Sequence, residues 1–242
     1  MKPILKVTNL GVRFGAREIL RNLQFDVRPG ECLAVIGPNG AGKTVLLKAL
    51  LGLVPHTGEI WWEGSTRLGY VPQRGAADRQ LPVQVAELLR AKAHVQRLPV
   101  AEIGWVSEAM GLQSEVLKSA IGSLSGGQWQ KVLIALALLG SPNVMLFDEP
   151  AASLDELSEE RIYELMHSLQ EARGLTVILV SHELSVVYRY ATNVLCLSKG
   201  KPCMGPPQEI LTPEKLEAVY GASSRYHEHV RDNGQRTGGG PG

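Results

Sequence analysis

Two periodicities divide the chain. Residues 4 to 27 alternate apolar and polar side chains, with Val7, Leu10, Val12 and Phe14 followed by Leu23, Phe25 and Val27. That period of two predicts half-buried antiparallel strands. Arg28-Pro29-Gly30-Glu31 reads as a turn. Beyond it come short continuous apolar runs at 32–36, 68–71, 144–147, 176–180 and 194–197. Segments of helical spacing separate them, at 43–51, 128–139 and 156–171. Strands apolar on both faces, alternating with helices, predict a largely parallel sheet covered by helices. From Leu81 to about Gly122 the spacing is helical with polar faces, as at Val83, Val85, Leu88 and Leu89. Because the strand–helix pattern resumes afterwards, this stretch reads as a helical insert, with bounds of about 74–135. The folded unit is expected over 4–221, and the polar residues 222–242, ending Gly-Gly-Gly-Pro-Gly, as a flexible tail.

Composition narrows the function classes. With 242 residues, 44% hydrophobic and 20% charged, the chain suits one large domain with a packed core. A net charge of +1 argues against nucleic acid as partner. No run reaches the roughly 18 to 20 apolar residues that cross a bilayer. The longest, 132–139, reads as a buried helix. The opening Met-Lys-Pro-Ile-Leu-Lys lacks a signal-peptide core, so a soluble intracellular protein is expected. Cys32, Cys196 and Cys203 are too few and too scattered for a disulfide framework or a closed zinc site.

The chemistry begins at the end of the first apolar run. Gly37-Pro38-Asn39-Gly40-Ala41-Gly42-Lys43-Thr44 fits G-x-x-x-x-G-K-[ST], placed after a strand and opening a helix. Its glycines let backbone N–H groups turn toward phosphates, and the helix N-terminus adds partial positive charge. Lys43 can reach β- and γ-phosphates of ATP, and the Thr44 hydroxyl can ligate Mg²⁺. The run at 144–147 carries Asp148 and Glu149 at its C-terminal end, beside that loop in a parallel sheet. Asp148 is expected to hold Mg²⁺, and Glu149 to polarise the water that attacks the γ-phosphate.

Leu124-Ser125-Gly126-Gly127-Gln128, lying between these two motifs, resembles the signature of ATP-binding cassette proteins. Further pieces follow that family's order. Gln73 in Tyr70-Val-Pro-Gln73 is similar to its glutamine loop, Ser153-Leu-Asp155 to its D-loop, and His182 in Val180-Ser-His182 to its switch histidine. Phe14 is similar to the aromatic residue that stacks on adenine. The resemblance covers about 4–221. It implies an α/β P-loop NTPase: a mixed, largely parallel sheet core, an antiparallel N-terminal β-subdomain, and a helical insert carrying the signature. It also implies an ATPase that works as a head-to-tail homodimer. Ser125, Gly126, Gly127 and Gln128 of one copy would complete the nucleotide site of the other, with Asp155 coupling the two sites. His182 would hold the γ-phosphate, and Gln73 would touch Mg²⁺ or water.

Departures from the family pattern stand beside it. Val45 occupies a position where the family commonly has a hydroxyl near the α-phosphate, so one hydrogen bond is expected to be missing. Phe14 replaces the commoner tyrosine. Trp129 reads as core or interface, with packing favoured. His56, His94 and His167 read as surface or structural, and Met145 and Met166 as core.

A cassette of this size without a membrane span resembles transporter subunits that dock on a separate integral membrane permease. The stretch 81–111 would receive the permease's cytoplasmic helix, at the cytoplasmic face of the membrane. Arg67 to Gln73, Leu81-Pro-Val-Gln-Val, and 194–211 look like the cassette subunits of bacterial zinc-uptake systems and their manganese and iron relatives. Zinc import is therefore favoured, with an extracytoplasmic solute-binding protein in the same system. Iron-chelate or cobalamin import is the alternative, and the soluble cassette ATPase of iron–sulfur cluster assembly a further one. Tyr226-His227-Glu228-His229 offers ligand types that zinc accepts, but its polar, glycine-rich setting favours a solvated tail.

Overall fold

The computed structural model describes residues 2–73, 81–152, 154–198 and 202–221. Ser153 and the Tyr226 to His229 segment lie outside the described residues.

The alternating N-terminal segment forms β1 (Leu5–Phe14) and β2 (Arg17–Val27), joined through the turn at Gly15. They pair antiparallel, Leu5 opposite Val27 and Phe14 opposite Arg17. A third strand joins them: β4 (Thr57–Trp62) pairs with the free side of β1, giving the order β2-β1-β4. The hydrophobic pattern does not single out β4, but Ile60, Trp61 and Trp62 have the side chains that favour strands.

The apolar runs form a second sheet: β3 (Cys32–Ile36), β5 (Leu68–Val71), β6 (Val144–Asp148), β7 (Thr176–Val180) and β8 (Asn193–Cys196). These five are parallel in the order β5-β6-β7-β3-β8, and a short β9 (Cys203–Gly205) closes the edge antiparallel. The reason for their continuous hydrophobicity is visible in the packing. Leu33 and Val35, Val144 and Leu146, and Ile178 and Val180 join the core shared with β1, β2 and α1 (Lys43–Leu50). Their neighbours Met145 and Phe147, and Val177 and Leu179, join the core under the helical insert. Both faces are covered, so both registers of each strand are apolar.

That insert consists of α2 (Val85–Val95), α3 (Val100–Ala109), α4 (Ser114–Lys118) and a 3₁₀ turn at Ile121–Ser123. It leads into α5 (Gly126–Leu138), the buried helix expected from the apolar run. The long α6 (Glu156–Arg173) follows β6. Three short helices escape the pattern: α7 (Leu184–Tyr190), α8 (Pro207–Ile210) and α9 (Pro213–Tyr220). With β8 they bury a small third core around Ala34, Ile36, Val187, Cys196 and Leu216. The start of α9 has a sequence signal, Thr212 as N-cap before Pro213 at the first helical position.

Trp129 is buried, as are Met145 and Met166. His56 and His94 are exposed, while the ring of His167 stands 5.2 Å from that of Tyr190. The cysteines are less scattered in space than in sequence, since Cys196 lies opposite Cys203 in the β8–β9 ladder. All three are free thiols.

Candidate functional site

The loop from Gly37 to Gly42 leaves the C-terminal end of β3 and enters α1. Gly42 is the residue before the helix and has φ 99°, in the left-handed region that suits glycine. A Cβ there would also meet the Ile19 and Leu20 side chains at 2.9 Å. The β1–β2 hairpin therefore abuts the loop, and Phe14 at the end of that hairpin is 48% exposed, open to a flat partner. Asn39 and Gly40 are exposed, Pro38 and Ala41 half-buried.

Lys43 is buried at 7% exposure, and its ammonium donates to the carbonyls of Gly37 at 2.9 Å and Pro38 at 3.5 Å. Burial lowers its pKa, while the charges of Glu149 and Asp148 act the other way. The Thr44 hydroxyl donates to Asp148 Oδ1 at 3.0 Å. Asp148 is itself buried, and that burial raises its pKa against the opposing hydrogen bond from Thr44. Tyr70, whose role the sequence gives no sign of, donates to Asp148 Oδ2 at 3.4 Å. Its own pKa is pushed up to about 12, by burial first and then by the Asp148 charge. Val45 packs its side chain against the β1–β2 core, which leaves its N–H as the group available to a phosphate.

Glu149 sits at φ 49°, a region costly for a residue with a Cβ. Its N–H is held by the Val180 carbonyl at 3.0 Å, so the neighbouring strand end fixes the turn. The carboxylate stands between three groups. Lys43 Nζ lies 3.8 Å from Oε1, Gln73 Nε2 donates to Oε2 at 2.6 Å, and His182 Nδ1 lies 3.8 Å from Oε2. His182 is half-exposed, with Nε2 at 3.3 Å from Glu183. The chain thus brings together Lys43, Thr44, Gln73, Asp148, Glu149 and His182, residues spread over more than a hundred positions of sequence. A buried cation, a hydroxyl–carboxylate pair and a second carboxylate beside an imidazole can bind a polyphosphate and direct a water at it.

The signature is built separately. Ser125 caps α5: its hydroxyl accepts the Gln128 N–H at 3.2 Å, and its N–H donates to the Gln128 side chain at 2.9 Å. Gln128 thus spends its side chain on the capping box. Ser125 and Gly126 are exposed, and the neighbours here belong to the residues leading into α6 and to its first turn. A Cβ on Gly126 would meet Leu154 at 3.1 Å and one on Gly127 would meet Ser158 at 3.8 Å. Asp155 caps α6 by accepting the Ser158 N–H at 3.0 Å, and bonding to Ser158 lowers its pKa.

The family model described as "ABC transporter" matches residues 20–152, more than half of the chain. The chain belongs to the ABC transporter family. It is 33% identical over 241 residues to the zinc import ATP-binding protein ZnuC of Pseudomonas fluorescens strain Pf-5, covering 95% of this chain and 89% of that protein. The ZnuC of Jannaschia sp. is 36% identical over 219 residues, covering 90% and 88%. Among solved structures, one described as a metal-chelate type ABC transporter in an inward-facing conformation superposes with a TM-score of 0.81 at 29% identity, covering 90% of this chain and 89% of that one. The ADP form of MJ1267, an ATP-binding cassette of an ABC transporter, superposes at 0.78 with 22% identity, a likeness of fold. As an ABC cassette the chain binds and hydrolyses ATP, and the α/β P-loop architecture read from the sequence is the one observed.

Proposed function

We propose that this chain is the ATPase subunit of an importer for a divalent transition metal, zinc first, acting through a separate membrane permease. The observation that carries the reading is the match, along nearly the whole chain, to proteins named as zinc import ATP-binding subunits. No helix among the described residues is long and apolar enough to cross a membrane, which supports a permease on another chain. Within the insert, Leu81, Val95 and Val100 are exposed at 51%, 80% and 82%, and their apolar surface supports docking of the permease there. The chain would then sit at the cytoplasmic face of the membrane, with a solute-binding protein on the other side.

In this reading Phe14 stacks on adenine, and the N–H groups of 39–45 with the Lys43 ammonium bind the phosphates. Thr44 and Asp148, with oxygens 3.0 Å apart, form a hard-donor pair that fits Mg²⁺, with Gln73 close by. Bound with ATP, Mg²⁺ supplies charge neutralisation at the phosphates. ATP draws Lys43 away from Glu149, freeing that carboxylate to take a proton from the attacking water. His182 orients the water and the γ-phosphate. Ser125 and Gly127 of a second copy close the site head to tail, and the exposure of Ser125 and Gly126 in the single chain supports a partner there. Asp155, beside the signature through the α6 start, is placed to link the two sites.

Ser125→Arg separates capping from this role. It removes an N-cap, costing about 0.5 to 2 kcal/mol, whereas Ser125→Asn keeps a capping acceptor. Both variants are expected to bind ATP normally as single chains. The arginine variant loses hydrolysis because bulk and charge meet the partner's γ-phosphate. Nucleotide titration and turnover measured on both decide it, and a collapse of affinity would make the signature structural.

The transport reading is tested on the chain co-purified with its permease in lipid nanodiscs. ATP turnover is expected to rise several-fold with zinc-loaded solute-binding protein, as a charged cassette coupled to transport requires. Stimulation by an iron chelate or a corrinoid instead would assign the alternative cargo. Co-purification with an iron–sulfur scaffold and no permease would remove the transporter role.

A further inference from the structure

Gly37, the first residue of the phosphate loop, is held from both sides. Its N–H, in the peptide leaving β3, donates to the Tyr220 hydroxyl at 3.2 Å. Its carbonyl, in the following peptide, accepts from the Lys43 ammonium at 2.9 Å. Between these peptides there is no slack: φ is 149°, and a Cβ would stand 2.2 Å from the Leu197 carbonyl oxygen. Pro38 comes next and contributes no N–H of its own.

Tyr220 reaches this point from the far end of the described chain, as the last residue of α9. Its ring packs, with Val219, against the core of Ala34, Ile36, Cys196 and Leu216. The helix start is fixed by the Thr212 hydroxyl, which accepts the Lys215 N–H at 3.4 Å. The phenol is thus carried by an anchored element and presents one polar atom to the root of the loop.

We infer that Tyr220 is a positioning residue for nucleotide binding. Its hydroxyl keeps the Gly37 peptide in the orientation that receives phosphates. The two holds on Gly37 respond differently to ATP. Phosphates compete for the Lys43 ammonium, so the carbonyl side is released when nucleotide enters. The Tyr220 bond makes no demand on Lys43, and it outlasts that exchange. A loop root that must be ordered during binding weakens affinity without altering the chemical step. This inference needs only nucleotide binding by an ABC cassette and is independent of the transported cargo.

Tyr220→Phe keeps the ring and removes the hydroxyl. One hydrogen bond of this kind corresponds to about a two- to tenfold weaker Kd, and the loss is expected for ATP and ADP alike. Turnover at saturating ATP should stay within about twofold, so KM rises and kcat does not. Val219→Ala is the packing control: it lowers the melting temperature through the same core and leaves nucleotide affinity unchanged. Isothermal titration and melting of the two purified variants read both quantities. A weakening confined to Tyr220→Phe supports the inference. An unchanged Kd in Tyr220→Phe, or an equal weakening in Val219→Ala, would overturn it.

Discussion

Glu149→Gln slows ATP hydrolysis by about 10²- to 10⁴-fold, the range a positioned general base contributes, while ATP still binds. The expectation follows from how the carboxylate is held. Oε2 accepts from Gln73 at 2.6 Å, a bond the glutamine's own oxygen can keep. The turn at φ 49° is fixed by the backbone bond to Val180, which the substitution does not touch. What disappears is the capacity to take a proton from water. Lys43 also loses a counter-charge at 3.8 Å, which favours rather than hinders its pairing with phosphate. Single-turnover hydrolysis together with equilibrium nucleotide titration separates the two effects. A variant that hydrolyses at wild-type rate would move the base elsewhere, with His182 the nearest candidate.

Lys43→Ala has the opposite signature: nucleotide affinity falls by about 10²-fold or more, since each hydrogen bond to a charged partner is worth about 1.5 to 3 kcal/mol. The ammonium is buried, its pKa lowered by that burial, and its donors are spent on the Gly37 and Pro38 carbonyls. Phosphates replace neutral carbonyl acceptors with charged ones, so the cation binds more strongly when nucleotide arrives. Removing it also leaves Glu149, 14% exposed at its side chain, without the nearby positive charge. Titration with ATP reports the affinity and thermal melting the fold. Near-normal affinity would mean that backbone N–H groups and the helix terminus alone hold the phosphates.

Much of this was legible in the sequence because the relevant forces are local. A strand apolar at every position announces burial on both faces, as Cys32 to Ile36 and Val144 to Phe147 do, and the loop between β3 and α1 follows from its glycines. Asp148 and Glu149 lie side by side in sequence at the end of β6, so their arrival beside Lys43 needed only a parallel sheet. The illegible parts depend on long-range pairing. β4 joins β1 across some fifty residues, and its Thr57-Gly58 start lacks a periodic pattern. Tyr70 meets Asp148 because β5 and β6 are neighbours in the sheet, and Tyr220 meets Gly37 across 183 positions. The double duty of Gln128 was open to reading, because Ser125-Gly126-Gly127-Gln128 is also a capping-box pattern, and the α5 terminus shows that box formed.

The claim on which the mechanism rests is that a single chain holds half of each hydrolysis site, the phosphate loop of one copy meeting Ser125 and Gly127 of another. Light scattering on Glu149→Gln, purified without its permease, tests this most directly, because bound ATP survives long enough in that variant for the mass to be read. Head-to-tail closure predicts twice the chain mass of 26.3 kDa at saturating MgATP and a return to the single-chain mass in MgADP. A single-chain mass at saturating MgATP, with nucleotide occupancy confirmed on the same sample, would contradict it.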